Sequence, residues 1–289
     1  MPDELFHYSV EKLGAMRLSQ AAPCKICGGD AEPFDIVDFN KACDPSLYSR
    51  GLSAIPVIYR SCRQCQFIFT DFFDTFTGEQ WRKYVYNAEY AELDPDYLHL
   101  RPRTNARIIN EYLGMGHRKD SIIGLDFGGG NGKTAALLRA VGWKFDTFDP
   151  FDFSDVPPTR VGTYNFCSAL EVFEHIPDPV GSLRSIIEMS SRDRLIIMIG
   201  TLLNDHAISN ETRLSWWYIA PRNGHVSCYS LKSLQILGAQ FGLTCTSVGR
   251  GPVLLTRGYR DVAIRSLLMR GLLSLRIRRI LNLWSRALK

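Results

Sequence analysis

The sharpest apolar–polar pattern in the chain is a short apolar run, Ile122, Ile123 and Leu125, that ends in an acid at Asp126. Such a run reads as a buried strand closing near Asp126–Phe127. Gly128, Gly130 and Gly132 alternate through the turn that follows. Lys133–Val141 is then rich in helix formers, with Gly142 where a C-terminal cap belongs. Further strands are predicted over Trp143–Phe148, Tyr164–Leu170, Arg194–Ile199, Thr244–Val248 and Val253–Leu255. Helices are predicted over Arg103–Leu113, from Pro179 behind an Asp178 cap, and from a Ser230 cap through Phe241. Strands alternating with helices give an α/β chain with a largely parallel sheet. Too few residues separate Asp149 from Tyr164 for a full helix and strand, so one βα unit is trimmed.

Ahead of this sheet the pattern changes. Val57–Tyr59 and Phe67–Phe69 predict strands of a small ribbon. Val10, Leu13, Met16 and Leu18 give at most a loose helix in a poorly ordered leader. Residues 71–100 carry Phe72, Phe73, Phe76, Trp81, Tyr84, Tyr86, Tyr90 and Tyr97 among acids, which predicts a helical linker that packs and lids the glycine domain. The expected division is a leader at 1–20, a cysteine module at 21–70, a linker at 71–115, a glycine-loop domain at 116–258 and a helical tail at 259–289.

Charge alters the picture only at the end of the chain. The whole chain carries +4, but residues 259–289 alone carry +7 and leave the rest at −3. Nothing therefore marks a nucleic-acid face on the main body. In the tail, Ile264, Leu268, Leu272, Leu275 and Leu283 share a side at helical spacing, with Arg265, Arg270, Arg276 and Arg278 elsewhere. Two readings stand: packing on the parent domain or a dimer mate, and peripheral contact with an anionic membrane surface. No apolar segment follows the first residues or is long enough to span a membrane, so the expected location is cytoplasmic, at most peripheral at the inner membrane face.

Eight cysteines in such a chain suggest metal or free thiols before disulfides. Cys24-x-x-Cys27 and Cys62-x-x-Cys65 have the spacing of two knuckles that present four sulfurs to one zinc ion. A site of four cysteines leaves no open position, so its role is structural. Gly28 follows the first pair and lets backbone N–H groups approach the sulfurs, whereas Gln66 in the matching place makes the second knuckle less regular. Lys25, Arg60 and Arg63 lie near enough in sequence to offset the thiolate charge, and Cys43 is read as a core residue.

The glycine loop carries the chemistry. Glycines let backbone pass close to a ligand where a side chain would collide. The pattern is not the Gly-x-Gly-x-x-Gly of dinucleotide binding, and Phe127 stands where a phosphate loop ending in Gly132-Lys133-Thr134 needs its first glycine. Asp149 lies at the tip of the second strand, 23 residues beyond Asp126, where a carboxylate accepts ribose hydroxyls. A nicotinamide-dependent sugar enzyme is disfavoured, since neither its glycine pattern nor a Tyr-x-x-x-Lys pair is present. A non-catalytic module with a degenerate cofactor domain is disfavoured by the intact glycines and acids.

Asp126-x-Gly-x-Gly-x-Gly, Asp149, the Glu171-Val172-Phe173-Glu174-His175 segment after a strand, and Gly224-His225 with Tyr229-Ser230 together resemble class I S-adenosylmethionine-dependent methyltransferases with an N-terminal zinc module, among them sugar C- and O-methyltransferases. The resemblance covers residues 22–258. It implies a Rossmann-like α/β sheet beside a small four-cysteine zinc ribbon, with the C-terminal helical tail added. It implies S-adenosylmethionine bound by Asp126, Phe127, Gly128, Gly130, Gly132, Asp149, Pro150, Ala169, Leu170 and Glu171. Asp152 and Asp155 are the candidates for an acid near the adenine. The implied acceptor is a saccharide or small polar metabolite, with methyl transfer to a hydroxyl, an amine or a carbon. His225 is the first candidate base, followed by His175 and Tyr229.

Overall fold

The computed structural model describes residues 5, 7, 8, 20–44, 46, 51–150, 158–247 and 251–259. The chain forms two compact units, each assembled from separate stretches of the sequence. The first comprises Met1–Pro95, Phe173–Ser182 and Leu202–Leu237; the second comprises Asp96–Val172, Leu183–Thr201 and Gly238–Lys289.

The first unit holds an antiparallel sheet. β1 (Ala22–Pro23), β2 (Asp30–Asp38), β3 (Pro56–Cys62) and β4 (Ile68–Phe69) pair in sequence, and Ser227–Cys228 (β9) adds to β4. That last pairing, together with Ser230 Oγ donating to the Cys65 carbonyl, recruits a distant stretch of chain into this unit. β2 is the longest strand here and sequence reading missed it. Pro33 breaks its donor pattern, and the register shifts between Pro33 and Asp35. The expected helix over residues 71–100 is two short pieces within this unit, α1 (Gly78–Tyr84) and α2 (Tyr90–Leu93). A Thr77/Gln80 capping box starts α1. Phe72, Phe73, Trp81, Tyr84 and Tyr90 join Phe39, Val57 and Tyr59 in one core, so most of the aromatic stripe is packing. Leu5 is buried in the same core and Tyr8 donates to the Phe72 carbonyl, so these two leader residues are packed.

The second unit holds the expected α/β sheet. α3 (Leu100–Gly114) precedes β5 (Ile123–Phe127), α4 (Lys133–Ala140), β6 (Lys144–Phe148) and β7 (Phe166–Leu170). Then follow β8 (Leu195–Gly200), β10 (Thr244–Thr246) and β11 (Val253–Arg257), while α5 (Pro179–Met189) and α6 (Leu231–Ala239) each begin in the first unit and end in the second. The strand order is β10-β11-β8-β7-β5-β6, with β11 antiparallel to both neighbours and the β8–β7–β5–β6 pairs parallel. β7 and β8 are buried along their whole length, as strands covered on both faces must be. Gly124 in β5 has no substitute, because a Cβ there would lie 2.4 Å from the Phe145 ring. The chain leaves β5 for β6 on one flank and returns to β7 on the other. The carboxyl ends of β5 and β7 are therefore the switch point where open α/β sheets bind ligands.

Asp152 and Asp155, and the tail beyond Tyr259, lie outside the described residues. Among the described residues no helix is long and apolar enough to cross a membrane.

Candidate functional site

At the switch point the loop after β5 is built from backbone. Gly128, Gly130 and Gly132 have φ of 71°, 51° and 72°, the left-handed region that favours glycine. The Gly128 amide donates to the Phe148 carbonyl at 2.7 Å, and the Gly130 amide donates to Asp149 Oδ2 at 2.8 Å. The carboxylate at the tip of β6 thus holds the loop. Gly129, which the alternating pattern passed over, is sterically the tightest: a Cβ there would lie 2.3 Å from Thr147 Oγ1 and 2.6 Å from Asp126 Oδ2. A Cβ on Gly130 would meet only the Tyr97 hydroxyl at 3.5 Å, so this side of the loop is the open one.

Asp126 is buried and accepts from Ser168 Oγ at 2.7 Å. Burial, and then the Asp149 charge, push its carboxyl up to about 7 against the pull of the Ser168 and Thr134 hydrogen bonds. Phe127 is buried against Phe148, Ala169 and Leu170 are buried at the end of β7, and Pro150 is exposed. Glu171 has φ of 58°, uncommon for a side chain of its size and a mark of stored strain. Its amide donates to the Gly200 carbonyl at 2.7 Å, and its Oε2 lies 3.8 Å from Arg101 Nε. Tyr97 belongs to the aromatic stripe expected to lid this domain, whereas sequence reading missed Arg101. Its signal was an arginine at the start of the helix that precedes the first sheet strand.

In the first unit the four cysteines converge. The Cys24–Cys65 and Cys27–Cys62 sulfurs are 3.5 and 3.4 Å apart, and all four lie within 4.8 Å of one another. Four thiolates with metal–sulfur bonds of about 2.3 Å would stand about 3.8 Å apart, so the set fits a tetrahedral ion. Contact with Cys65 draws the Cys24 thiol down to about 5. Gln66 takes φ of 63°, close to the 71° of Gly28, and donates to the Cys62 carbonyl as Gly28 does to that of Cys24. The second knuckle is thus as regular as the first, contrary to expectation. Lys25, Arg60 and Arg63 pair with Asp74, Asp71 and Glu32, so their charge is directed to carboxylates.

A second cluster in this unit gathers Glu174, His175 and His225, whose ligand atoms all lie within 4.8 Å of one another. Glu174 and His175 occupy a 3-10 turn after Val172. His225 follows Gly224, whose φ of 83° turns the chain; a Cβ there would press on Val85, Tyr86 and His175. The Val226 amide donates to the Glu174 carbonyl and ties the two segments together. His225 is buried, with its ring Nδ1 2.7 Å from the Tyr218 carbonyl; His175 Nδ1 is 3.2 Å from that of Gly224. Buried Lys41 donates to the carbonyls of Leu214, Trp216 and Ile219 and so shapes the loop that presents Tyr218. Cys43, read as core, is half-buried with its sulfur 3.8 Å from His225 Nδ1. Tyr229 is fully buried and donates its hydroxyl hydrogen to the Phe173 carbonyl; burial holds its pKa well above the ordinary value. It does not suit the role of base.

An α/β sheet with a glycine loop at its switch point and acids on the adjoining strand tips defines a nucleotide-cofactor domain. The family model described as "Methyltransferase domain" matches residues 97–248, more than half of the chain, and the chain belongs to that family of enzymes. Similar solved structures include the mitomycin 7-O-methyltransferase MmcR, at 15% identity over 64% of this chain and 62% of that one, TM-score 0.44. The plantazolicin methyltransferase BpumL is similar at 10% identity over 71% and 88%, TM-score 0.45. A possible histamine N-methyltransferase from Thermotoga maritima is similar at 11% identity over 59% and 98%, TM-score 0.37. The chain spans 62% of the mitomycin enzyme's length and 59% of TnmH. No curated protein matches the sequence.

Proposed function

We propose that the protein transfers a methyl group from S-adenosylmethionine to a hydroxyl of a saccharide or similarly polar small molecule. The observation that carries this reading is the bare glycine loop with Asp126 and Asp149 at the strand tips. S-adenosylmethionine, when bound, supplies a methyl group on an already activated sulfonium. Gly128, Gly130 and Gly132 leave room for its methionine part, and Asp126 answers its amino group. Asp149 and the neighbouring Pro150 hold the ribose, and Phe127 anchors the loop. Ala169, Leu170 and Glu171 flank the acceptor. Arg101, beside Glu171, suits the methionine carboxylate.

The remaining task is alignment and deprotonation. The acceptor oxygen gives its proton to His225 or His175 and forms its bond to the methyl carbon, while the electrons of the broken carbon–sulfur bond stay on sulfur. A carbonyl only accepts hydrogen bonds, so Nδ1 of each ring carries the hydrogen and Nε2 the basic lone pair. The four cysteines hold a structural zinc ion in this reading, and the tail at 259–289 serves packing, dimerisation or an anionic membrane surface.

Calorimetry tests the cofactor directly. S-adenosylmethionine or S-adenosylhomocysteine should bind at micromolar strength, and Asp149→Ala should weaken binding at least tenfold, on the order of one charged hydrogen bond. Binding of NADH with no heat from either adenosyl compound would overturn the reading.

A further inference from the structure

We infer that Glu174, His175 and His225 form a site for one divalent transition-metal ion, separate from the four-cysteine cluster. The donors are one carboxylate and two imidazoles, a set suited to ions such as Zn2+, Co2+ or Mn2+. They come from two segments that the Val226–Glu174 backbone hydrogen bond and the turn at Gly224 clamp together. Their ligand atoms lie within 4.8 Å of one another. Donors on one ion with bonds of about 2.1 Å stand about 3 to 4 Å apart, so side-chain rotations closing the cluster by about an ångström suffice.

The surroundings are prepared for this. Each Nδ1 faces a backbone carbonyl, Tyr218 for His225 and Gly224 for His175, an outer contact of the kind that leaves Nε2 with the lone pair a metal takes. Lys41 braces the carbonyl-bearing loop of Tyr218 through three hydrogen bonds of 2.6 to 2.9 Å.

The consequence deepens the proposed function and rests on it. A lone pair that holds a metal ion cannot also take a proton. In the metal-bound protein the two histidines would therefore be ligands and not bases.

The test is a titration of chelator-treated full-length protein with Co2+ alone. Wild type should take two equivalents. One shows intense thiolate-to-metal charge transfer from the four cysteines, and the other shows weak d–d bands with no thiolate contribution. Glu174→Gln and His225→Ala should each weaken the second at least tenfold and leave the first unchanged. His175→Asn replaces His225→Ala should the latter fail to melt cooperatively. Only a thiolate-type equivalent in wild type would overturn the proposal, as would a second equivalent that survives in these variants. S-adenosylmethionine calorimetry on the same samples separates the two readings: a second metal without cofactor binding defeats the methyltransferase reading and leaves the metal site standing.

Discussion

The glycine loop of the sheet unit and the histidine–glutamate cluster of the cysteine unit are made in opposite ways. The loop is one contiguous stretch whose ligand surface is backbone: Gly128, Gly129 and Gly130 leave atoms out, and Asp126 and Asp149 brace what remains. The cluster is all side chain, drawn from residues about fifty positions apart and held by hydrogen bonds to Tyr218, Gly224 and Val226. A cradle of absences is written locally and survives only where the missing Cβ atoms stay missing. A cluster of side chains depends on the whole unit being folded.

The largest effect should come from breaking the unit that carries the cluster. Cys24→Ser or Cys62→Ser removes one sulfur from the four-cysteine cluster, and a zinc ion held by such a cluster in small domains is worth on the order of 10 kcal/mol. The prediction is loss of bound zinc by metal analysis together with a large fall in melting temperature or in soluble yield. Metal-free wild type of unchanged stability would show that buried thiols, with no ion, hold the knuckles.

Next in size is Asp126. Its folded-state carboxyl titrates at about 7 against 3.8 unfolded, because burial and the Asp149 charge disfavour the ionised form. Between about pH 4 and pH 7 the native state therefore keeps a proton that the unfolded state has lost. Stability falls as pH rises through that window. At 1.36 kcal/mol per unit the full cost is on the order of 2 to 4 kcal/mol. Asp126→Asn keeps the size and can still accept from Ser168. It should match wild type in stability at pH 4, exceed it at pH 8, and bind S-adenosylmethionine more weakly. Equal stability at pH 8 would mean that the carboxylate is better solvated than its burial implies.

His225→Ala follows, with cofactor affinity retained and turnover slowed by about 10²-fold or more. Adding metal back to chelated wild type sharpens the comparison: a base works once the four-cysteine set alone is refilled, whereas a ligand needs the second equivalent as well. Unchanged turnover would make His225 a packing residue beneath Tyr59, which donates to its carbonyl at 2.6 Å.

These contrasts follow what the sequence could and could not show. The β5–loop–α4 unit was legible to within a residue because its strand, glycines and Gly142 cap are adjacent in the chain. Gly129 was passed over because the alternating glycine pattern skips it; Thr147 and Asp126, brought close by the fold, exclude a side chain there. Glu174 was visible as a residue but not as a member of a site, since its neighbour His225 arrives from another segment. Tyr229 looked available beside Ser230, yet the chain at Ser227–Cys228 enters the sheet of the first unit and buries it. Lys41 carries no motif at all; its three carbonyl partners lie more than 170 positions away.

The smallest prediction sits within the knuckles and isolates backbone from ion. Gly28 and Gln66 share one conformation, φ of 71° and 63°, yet one is glycine and the other is not. A left-handed non-glycine residue costs about 1 to 2 kcal/mol, while glycine gains freedom in the unfolded chain worth about 0.5 to 1 kcal/mol. A Cβ on Gly28 would meet nothing within 4 Å, so Gly28→Ala should cost about 1 kcal/mol through conformation alone. Gln66→Gly should be neutral or stabilising by up to about 1 kcal/mol, with zinc content unchanged in both. Thermal melts of the two variants side by side decide it. A loss beyond about 1 kcal/mol in Gln66→Gly would show that the glutamine side chain contributes packing in the second knuckle, and that the two halves of the cysteine cluster are held by different means.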